Sequence, residues 1–389
     1  MLRVLTLSTL FPDATRPTFG NFVERQTMGL AARPDVELEV VAPIGIPPWP
    51  LSRHARYRRF ASVPEQDIWK DMIVHRPRFS LVPRIGGRFS PARMAKALLP
   101  VLQTIRERFP FDVIDAEFFY PDGPAAMRLA VALDVPFSVK ARGNDIHHWA
   151  QQSGCRAQIL AAADKAGGLL AVSEALKADM AALGMAEEKI AVHYTGIDRT
   201  RFAPVDRDAA KAELGISGPL IVTVGALMER KGQRLVLDAL PRIPGATLFL
   251  AGEGPDRGVL ERRALKRDLA SRVDMPGALP HERVAALIAA ADVMVLPSVS
   301  EGLANAWVEA LASGTPIVIS DAGGAREVMD RPEAGAVVAR DPGAIADAVN
   351  ALLADPPAQP AVAATVDRFS WERNSAQLFA HLSRLAERH

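Results

Sequence analysis

Short apolar runs recur along the chain, each bounded by polar or turn-forming residues and followed by a stretch of helical pattern. In the first half these runs are LRVLTLST, VELEVVAP, FDVIDAE, PFSVKAR, GGLLAVS and KIAVHYTG, with NFVERQTMGLAAR and AAMRLAVAL between them as helices. In the second half come PLIVTVG, ATLFLAGEG, SRVDMPG, DVMVLPS, TPIVIS and AGAVVAR, separated by helical stretches such as RVAALIAAA. Near-continuous apolar strands alternating with helices are what a parallel sheet needs when helices cover both faces. The pattern predicts an α/β protein with two Rossmann-like, doubly wound domains. The boundary is expected in GIDRTRFAPVDRDAAKAELG, which is polar, contains Pro204 and follows the strand ending near Tyr194. This gives domains of residues 1–198 and 199–370, and a last helix in 371–389 that is free to pack back on the first domain.

The length of 389 residues exceeds one ordinary core and suits two domains. A formal net charge of +1 provides no global field for nucleic acid. The single cysteine, Cys155, cannot form an internal disulfide, and the opening MLRVLTLSTLF reads as a buried strand rather than a signal peptide. Both point to a cytoplasmic protein. No run reaches the roughly 18 apolar residues that cross a bilayer. Residues 47–93 are the least regular part, carrying RHARYRRF and PRIGGRFSPARM. Arginines interleaved with Tyr57 and Phe60 suit either a solvated loop or a patch that rests on an anionic membrane surface.

The densest chemistry lies in VLPSVSEGLANAWVEALASGTPIVIS, from Val295 to Ser320, which reads strand, loop, helix, strand. In a parallel α/β sheet, ligands bind at the carboxyl edge of the strands. After Gly302, the backbone N–H groups of Leu303, Ala304 and Asn305 begin a helix there and are free to meet an anion. Glu301 precedes that start and Glu309 sits about one turn into the helix. Two carboxylates do not bind phosphate, but they accept hydrogen bonds from hydroxyls on either side of one. A nucleoside diphosphate sugar has that layout: ribose, diphosphate, sugar. The plainer alternative is a helix-start acid followed by a solvated acid.

This segment resembles the E-x7-E region of family 4 glycosyltransferases. The resemblance continues in VTVGALMERKGQRLVLDAL, LFLAGEGPDRGVLE and SGTPIVISDAGGAREVM, and in the first half in FPDATRPTFGNFVERQ and ARGNDI. It implies the GT-B fold, two Rossmann-like doubly wound domains facing a central cleft, usually with retention at the anomeric carbon. It also implies a nucleotide sugar as substrate, with no cofactor and no metal. Residue by residue, it places Glu301 on the donor-sugar hydroxyls, Glu309 on the ribose and Lys231 on the diphosphate. An arginine common in the family is Ala226 here, which makes Arg230 the candidate substitute. Gly20 would bring its backbone near the diphosphate from the other domain. Arg142 stands where many relatives have histidine. Arginine cannot act as a base at neutral pH, so its expected work is electrostatic, on a phosphate or an acceptor oxygen. Asp145 would orient it or bind the acceptor. His147 and His148 read as a surface pair, and Trp149 as packing.

Two other patterns are weaker. GEGPDRG, with Asp274 about 20 residues on, approaches a dinucleotide fingerprint, but its third glycine, Gly258, comes one place late. DRD at 206–208 imitates a metal-binding D-x-D, yet lies before a helix, where a cap is the simpler account. No spaced Cys/His cluster suits zinc. The expected function is a metal-independent, retaining glycosyltransferase. It would move a sugar from a nucleotide diphosphate donor to a hydroxyl of a glycan or lipid-linked acceptor, in cell-surface polysaccharide biosynthesis. It would work in the cytoplasm, with peripheral contact to the inner face of the plasma membrane. One rival is a nucleotide-sugar epimerase on the same fold, for which no clear acid–base pair is present. The other is a catalytically silent nucleotide-sugar-binding protein, suggested by Ala226 and Arg142.

Overall fold

The computed structural model describes residues 1–82 and 87–389; residues 83–86, within the basic stretch PRIGGRFSPARM, lie outside the described residues. The chain forms two compact units, Met1–Gly196 with Trp371–His389, and Ile197–Ser370.

Strands of the first unit are β1 (Leu2–Leu7), β2 (Val36–Val41), β3 (Ile44–Ile46), β4 (Gln66–Trp69), β5 (Met72–His75), β6 (Arg78–Ser80), β7 (Val113–Ala116), β8 (Phe137–Ala141), β9 (Gly168–Ala171) and β10 (Ile190–Val192). Among the described residues they build an eight-stranded sheet, ordered β10-β9-β8-β7-β1-β2-β5-β4, and a small β3-β6 pair. All neighbours in the large sheet run parallel except β4, which caps the edge antiparallel to β5. The order reverses between β1 and β7, so loops leaving those two strands diverge and open a crevice at the carboxyl edge. Residues 47–93 are thus more regular than their composition suggested. They contribute β4 and β6, whose short, half-exposed patterns carry too few apolar positions to read as core strands, and β5, which is buried but only four residues long.

The last helix, Trp371–Ala386, completes this unit. Leu378, Leu382 and Leu385 form one stripe and bury against Leu2, Val4, Val113 and Leu170. Each buried leucine contributes about 1.5–3 kcal/mol. Asn374 Nδ2 donates to the Tyr194 carbonyl at 2.6 Å and Ser375 Oγ to the Gly29 carbonyl at 2.7 Å, fixing the register of the helix.

The second unit contains β11 (Leu220–Val224), β12 (Thr247–Ala251), β13 (Val273–Gly277), β14 (Val293–Leu296), β15 (Ile317–Ser320) and β16 (Gly335–Val338). They form an all-parallel sheet ordered β13-β12-β11-β14-β15-β16. That is the doubly wound order, with its switch point between β11 and β14, paired at Ile221 and Val293. Ile221, Leu248, Val293, Val295 and Val318 lie in one core, and the alternate positions Val222, Met294, Leu296 and Ile319 are equally buried, so the sheet is covered on both faces as the apolar runs required. Asp206 of the DRD motif caps the helix Arg207–Glu213, its Oδ1 accepting the Ala209 N–H at 3.1 Å.

Candidate functional site

The switch point of the second unit brings two loops together. After β11 the chain makes a 3-10 turn, Glu229–Lys231, and enters the helix Gln233–Ala239 through Gly232. Gly232 has φ +78°, and a Cβ there would lie 2.4 Å from the Pro297 carbonyl oxygen, so only glycine lets the turn approach the loop after β14 this closely. Two bonds stitch the loops: the Val299 N–H donates to the Arg230 carbonyl at 2.7 Å, and the Arg230 guanidinium to the Ser300 carbonyl at 3.1 Å. Lys231 Nζ then meets Glu301 Oε1 at 2.5 Å. Gly302 follows, its carbonyl accepting from the Gly324 N–H at 2.7 Å, and the helix Asn305–Ala312 begins. Its N-cap, Ala304, has no capping side chain. A cation, a carboxylate and an uncapped helix start therefore share one edge, the arrangement that binds an anion beside a hydroxyl-bearing group.

Glu309 lies one turn into this helix. Its Oε1 is 3.2 Å from His281 Nε2, and His281 Nδ1 is 2.8 Å from Arg201 Nη1. A guanidinium only donates, so Nδ1 is the acceptor. Nε2 is then the donor, pointed at the Glu309 carboxylate. The edge of Phe202 packs on the imidazole, with ring centroids 5.2 Å apart. His281 was missed in the sequence; the only signal was an imidazole at the first position of a helix, after Pro280.

At the carboxyl edge of the first unit the picture differs. Arg142 follows β8, and its guanidinium is almost fully buried, 6% exposed. It pairs with the fully buried Glu117 carboxylate, donates through Nε to the Glu117 carbonyl at 2.8 Å, and stacks over Phe22 at 4.8 Å. The expected contact with a phosphate or acceptor oxygen is replaced here by an internal brace between the ends of β7 and β8. Asp145 is fully buried and accepts the backbone N–H groups of Phe119, Arg142, Gly143 and Ile146 at 2.8–3.2 Å, so of its two expected roles the geometry matches holding Arg142, through the backbone, rather than facing an acceptor. Burial leaves its pKa raised despite those bonds. Gly20, φ +67°, opens the helix Asn21–Ala31, and a Cβ would sit 1.7 Å from the Leu10 carbonyl oxygen. Its role visible here is that close approach. His147 Nε2 lies 2.8 Å from Asp179 on the surface.

Behind Arg142 runs a buried polar chain that the sequence did not reveal. Lys140 Nζ donates to Gln26 Oε1 at 2.6 Å and to His193 Nδ1 at 2.8 Å, and His193 Nε2 donates to the Asn374 carbonyl at 2.8 Å. Burial, then the neighbouring Arg142, lowers Lys140 to about 7. Burial and Lys140 hold His193 well below its usual range, so it is neutral. Burial and the Glu117 charge push Asp115 well above the carboxylate range, so it keeps its proton. Burial also opposes ionisation of Glu117, but Arg142 and Lys140 outweigh it and hold the carboxyl low. One anion is left to balance Arg142.

The basic stretch Arg53–Arg59 is exposed, but Phe60 is buried with Ile44 and Val63, and Tyr57 packs on the same cluster. Of the rings expected to face a membrane, Phe60 therefore serves the core and Tyr57 is half-buried against it. The apolar exposure beside the arginines comes instead from Trp49, 74% exposed, and Leu51, 52% exposed. No helix among the described residues is long and apolar enough to cross a membrane. No group of three or more His, Cys, Asp or Glu side chains suited to a metal ion occurs among the described residues.

Residues 206–369 match the family "Glycosyl transferases group 1", and residues 22–201 match "Glycosyltransferase Family 4". TuaC of Bacillus subtilis strain 168, named as a glycosyltransferase of teichuronic acid biosynthesis, is 26% identical over 356 residues, covering 90% of this chain and 88% of TuaC. Sucrose-phosphate synthase of Thermosynechococcus elongatus superposes with a TM-score of 0.81 at 19% identity, over 100% of both chains. HepE of Anabaena, solved with UDP and glucose, gives 0.76 at 19% identity, over 99% of this chain and 100% of HepE. At these identities the solved structures establish a shared fold.

Proposed function

Because the chain belongs to the group 1, family 4 glycosyltransferases, we propose that it transfers a sugar from a nucleotide diphosphate donor held at the switch point of its second unit. The observation that carries this reading is the Lys231–Glu301 pair, set beside the uncapped start of the helix that bears Glu309. Diphosphate entering at Leu303–Asn305 draws Lys231 from Glu301, with Arg230 adjacent. The freed Glu301 carboxylate then accepts from a donor-sugar hydroxyl, and Glu309, oriented by His281, accepts from the ribose. Breaking the anomeric C–O bond places charge on the departing diphosphate. Lys231, placed by donor binding, and the helix N–H groups then lower that barrier with no further rearrangement during the chemical step. These groups meet the diphosphate charge, and the transfer needs no metal.

The acceptor is a hydroxyl of a glycan or lipid-linked saccharide, transfer retains the anomeric configuration, and the product feeds a surface polysaccharide. A cytoplasmic enzyme resting on an anionic membrane fits this, with Arg53, Arg56, Arg58 and Arg59 supplying charge and Trp49 and Leu51 the apolar contact. The test is nucleoside diphosphate release from UDP-, GDP- and ADP-sugars, with and without a membrane extract as acceptor, before and after EDTA. Acceptor-dependent release with one base, surviving EDTA, is expected. No release with any donor, or release restored only by added manganese, contradicts the reading. Vesicle flotation tests the surface: binding to anionic vesicles should fall as salt rises and as the four arginines become glutamine.

A further inference from the structure

A cavity of about 870 Å³ lies entirely in the first unit, beside the loops that leave β7 and β8. One part of its lining is aromatic. The rings of Tyr120 and Trp149 are 5.1 Å apart and tilted by 32°, and Tyr57 joins them. Tyr120 is fixed by its hydroxyl, which donates to the Gly87 carbonyl at 2.6 Å. Trp149, expected to serve packing alone, is only partly buried and lines the cavity. The charged side chains in the lining are Arg56 and Arg88, with Ser153 offering a hydroxyl. Among the described residues no aspartate or glutamate lines the cavity, and neither arginine has a carboxylate partner.

Each feature narrows the occupant. An aromatic shelf suits the C–H face of a sugar ring, and a few placed polar groups fix its orientation. Two guanidinium groups without counter-charges suit an anion, which they can grip through paired N–H donors. Their combined charge matches a phosphate monoester or diphosphate, at about −1.5 to −2, better than a single carboxylate. We propose that this cavity is a binding site for a phosphorylated saccharide, held by Trp149 and Tyr120 on its ring and by Arg56 and Arg88 on its phosphate. The assignment deepens the transferase reading and rests on it, since a second saccharide site in such an enzyme is where the acceptor sits. The phosphate can belong to a soluble sugar phosphate or to a lipid-linked one.

Fluorescence of the full-length protein tests this, with the Trp149→Phe variant identifying the Trp149 signal. Glucose 6-phosphate should change that signal saturably, with at least tenfold higher affinity than glucose or glucuronate. Arg88→Gln should weaken glucose 6-phosphate roughly tenfold or more, the loss expected for a charge-assisted bond. Vesicles carrying polyprenyl-diphosphate glucose form the lipid arm. Saturation by the vesicles alone assigns the lipid-linked form; saturation by glucose 6-phosphate assigns the soluble one. Equal affinity for glucose, glucuronate and glucose 6-phosphate, or no response in either arm, overturns the proposal. So does an Arg88→Gln variant with unchanged affinity. Calorimetry with UDP, GDP and ADP on the same samples separates the two readings. Nucleotide affinity that survives Arg88→Gln leaves the donor site standing, whereas absence of nucleotide binding strikes the transferase reading and not the cavity.

Discussion

Both units carry a cation–carboxylate pair at the carboxyl edge of their sheet, and the two pairs are built differently. Arg142 and Glu117 are 6% and 0% exposed and are tied to Gln26, a backbone carbonyl and the Lys140–His193 chain. Lys231 and Glu301 are 13% and 9% exposed, and one bond joins them. A fully networked buried pair is costly to break, because either partner alone is left as an uncompensated charge. A pair at an edge can exchange one partner for a ligand. The first unit has committed its Arg142–Glu117 pair to shape, and the second has kept a pair that can open.

The largest expected effect follows from breaking the networked pair. Arg142→Met strands the Glu117 charge and should cost about 3–5 kcal/mol in urea unfolding. Lys231→Met should cost much less, and equal losses would erase the distinction. Next comes acid sensitivity, which belongs to the first unit. Burial holds His381, hydrogen-bonded to Ser138, at about 4, below the ordinary histidine value of 6.5. A depressed folded-state value means that this stability is present above about 6.5 and lost as pH falls towards 4. The full loss is about 3 kcal/mol. His381→Gln should therefore lose less stability than wild type between pH 7 and pH 4.5; an unchanged pH slope would remove His381 from the account.

Effects on the exchangeable pair should be functional rather than structural. Lys231→Met should lower donor affinity or turnover by about 10- to 100-fold, equivalent to roughly 1.5–3 kcal/mol for a charge-assisted contact. Full activity in this variant would show that the pair does not open for a diphosphate. The smallest effect is expected at His281. His281→Phe keeps the packing on Phe202 but removes the Nε2 donor to Glu309, so nucleoside diphosphate affinity should fall a few-fold, about 0.5–1.5 kcal/mol. No change would mean that Glu309 needs no orienting partner.

The contrast also shows what a sequence displays. The apolar runs LIVTV and VMVL became β11 and β14 because parallel strands bury both faces and leave a continuous hydrophobic signature. The family motifs located Glu301 and Lys231 near the edge of that sheet, since each follows such a run closely. The partners were not legible. Glu117 and Arg142 are 25 residues apart, and His281 and Glu309 are 28. Nothing local couples them until the strands pair. Arg142 looked like a ligand-facing cation because the sequence does not state which side of the edge a side chain takes. Residues 47–93 hid β4 and β6 for a related reason: short strands at an edge or in an isolated pair need little apolar surface, and their hydrophobic code is weak; β5 lies inside the sheet, but its apolar run is only Met72–Val74.

The central claim is that the β11–β14 switch point holds a nucleotide sugar with its two carboxylates on opposite ends. Calorimetric titration of Glu301→Ala and Glu309→Ala, each with the free nucleoside diphosphate and with its sugar conjugate, tests it directly. Glu309→Ala should weaken both ligands by about tenfold or more, as expected for lost charge-assisted bonds to the ribose. Glu301→Ala should leave the free nucleotide unaffected and weaken only the sugar conjugate. Unchanged nucleotide affinity in Glu309→Ala, or equal losses for both ligands in Glu301→Ala, would contradict the assignment.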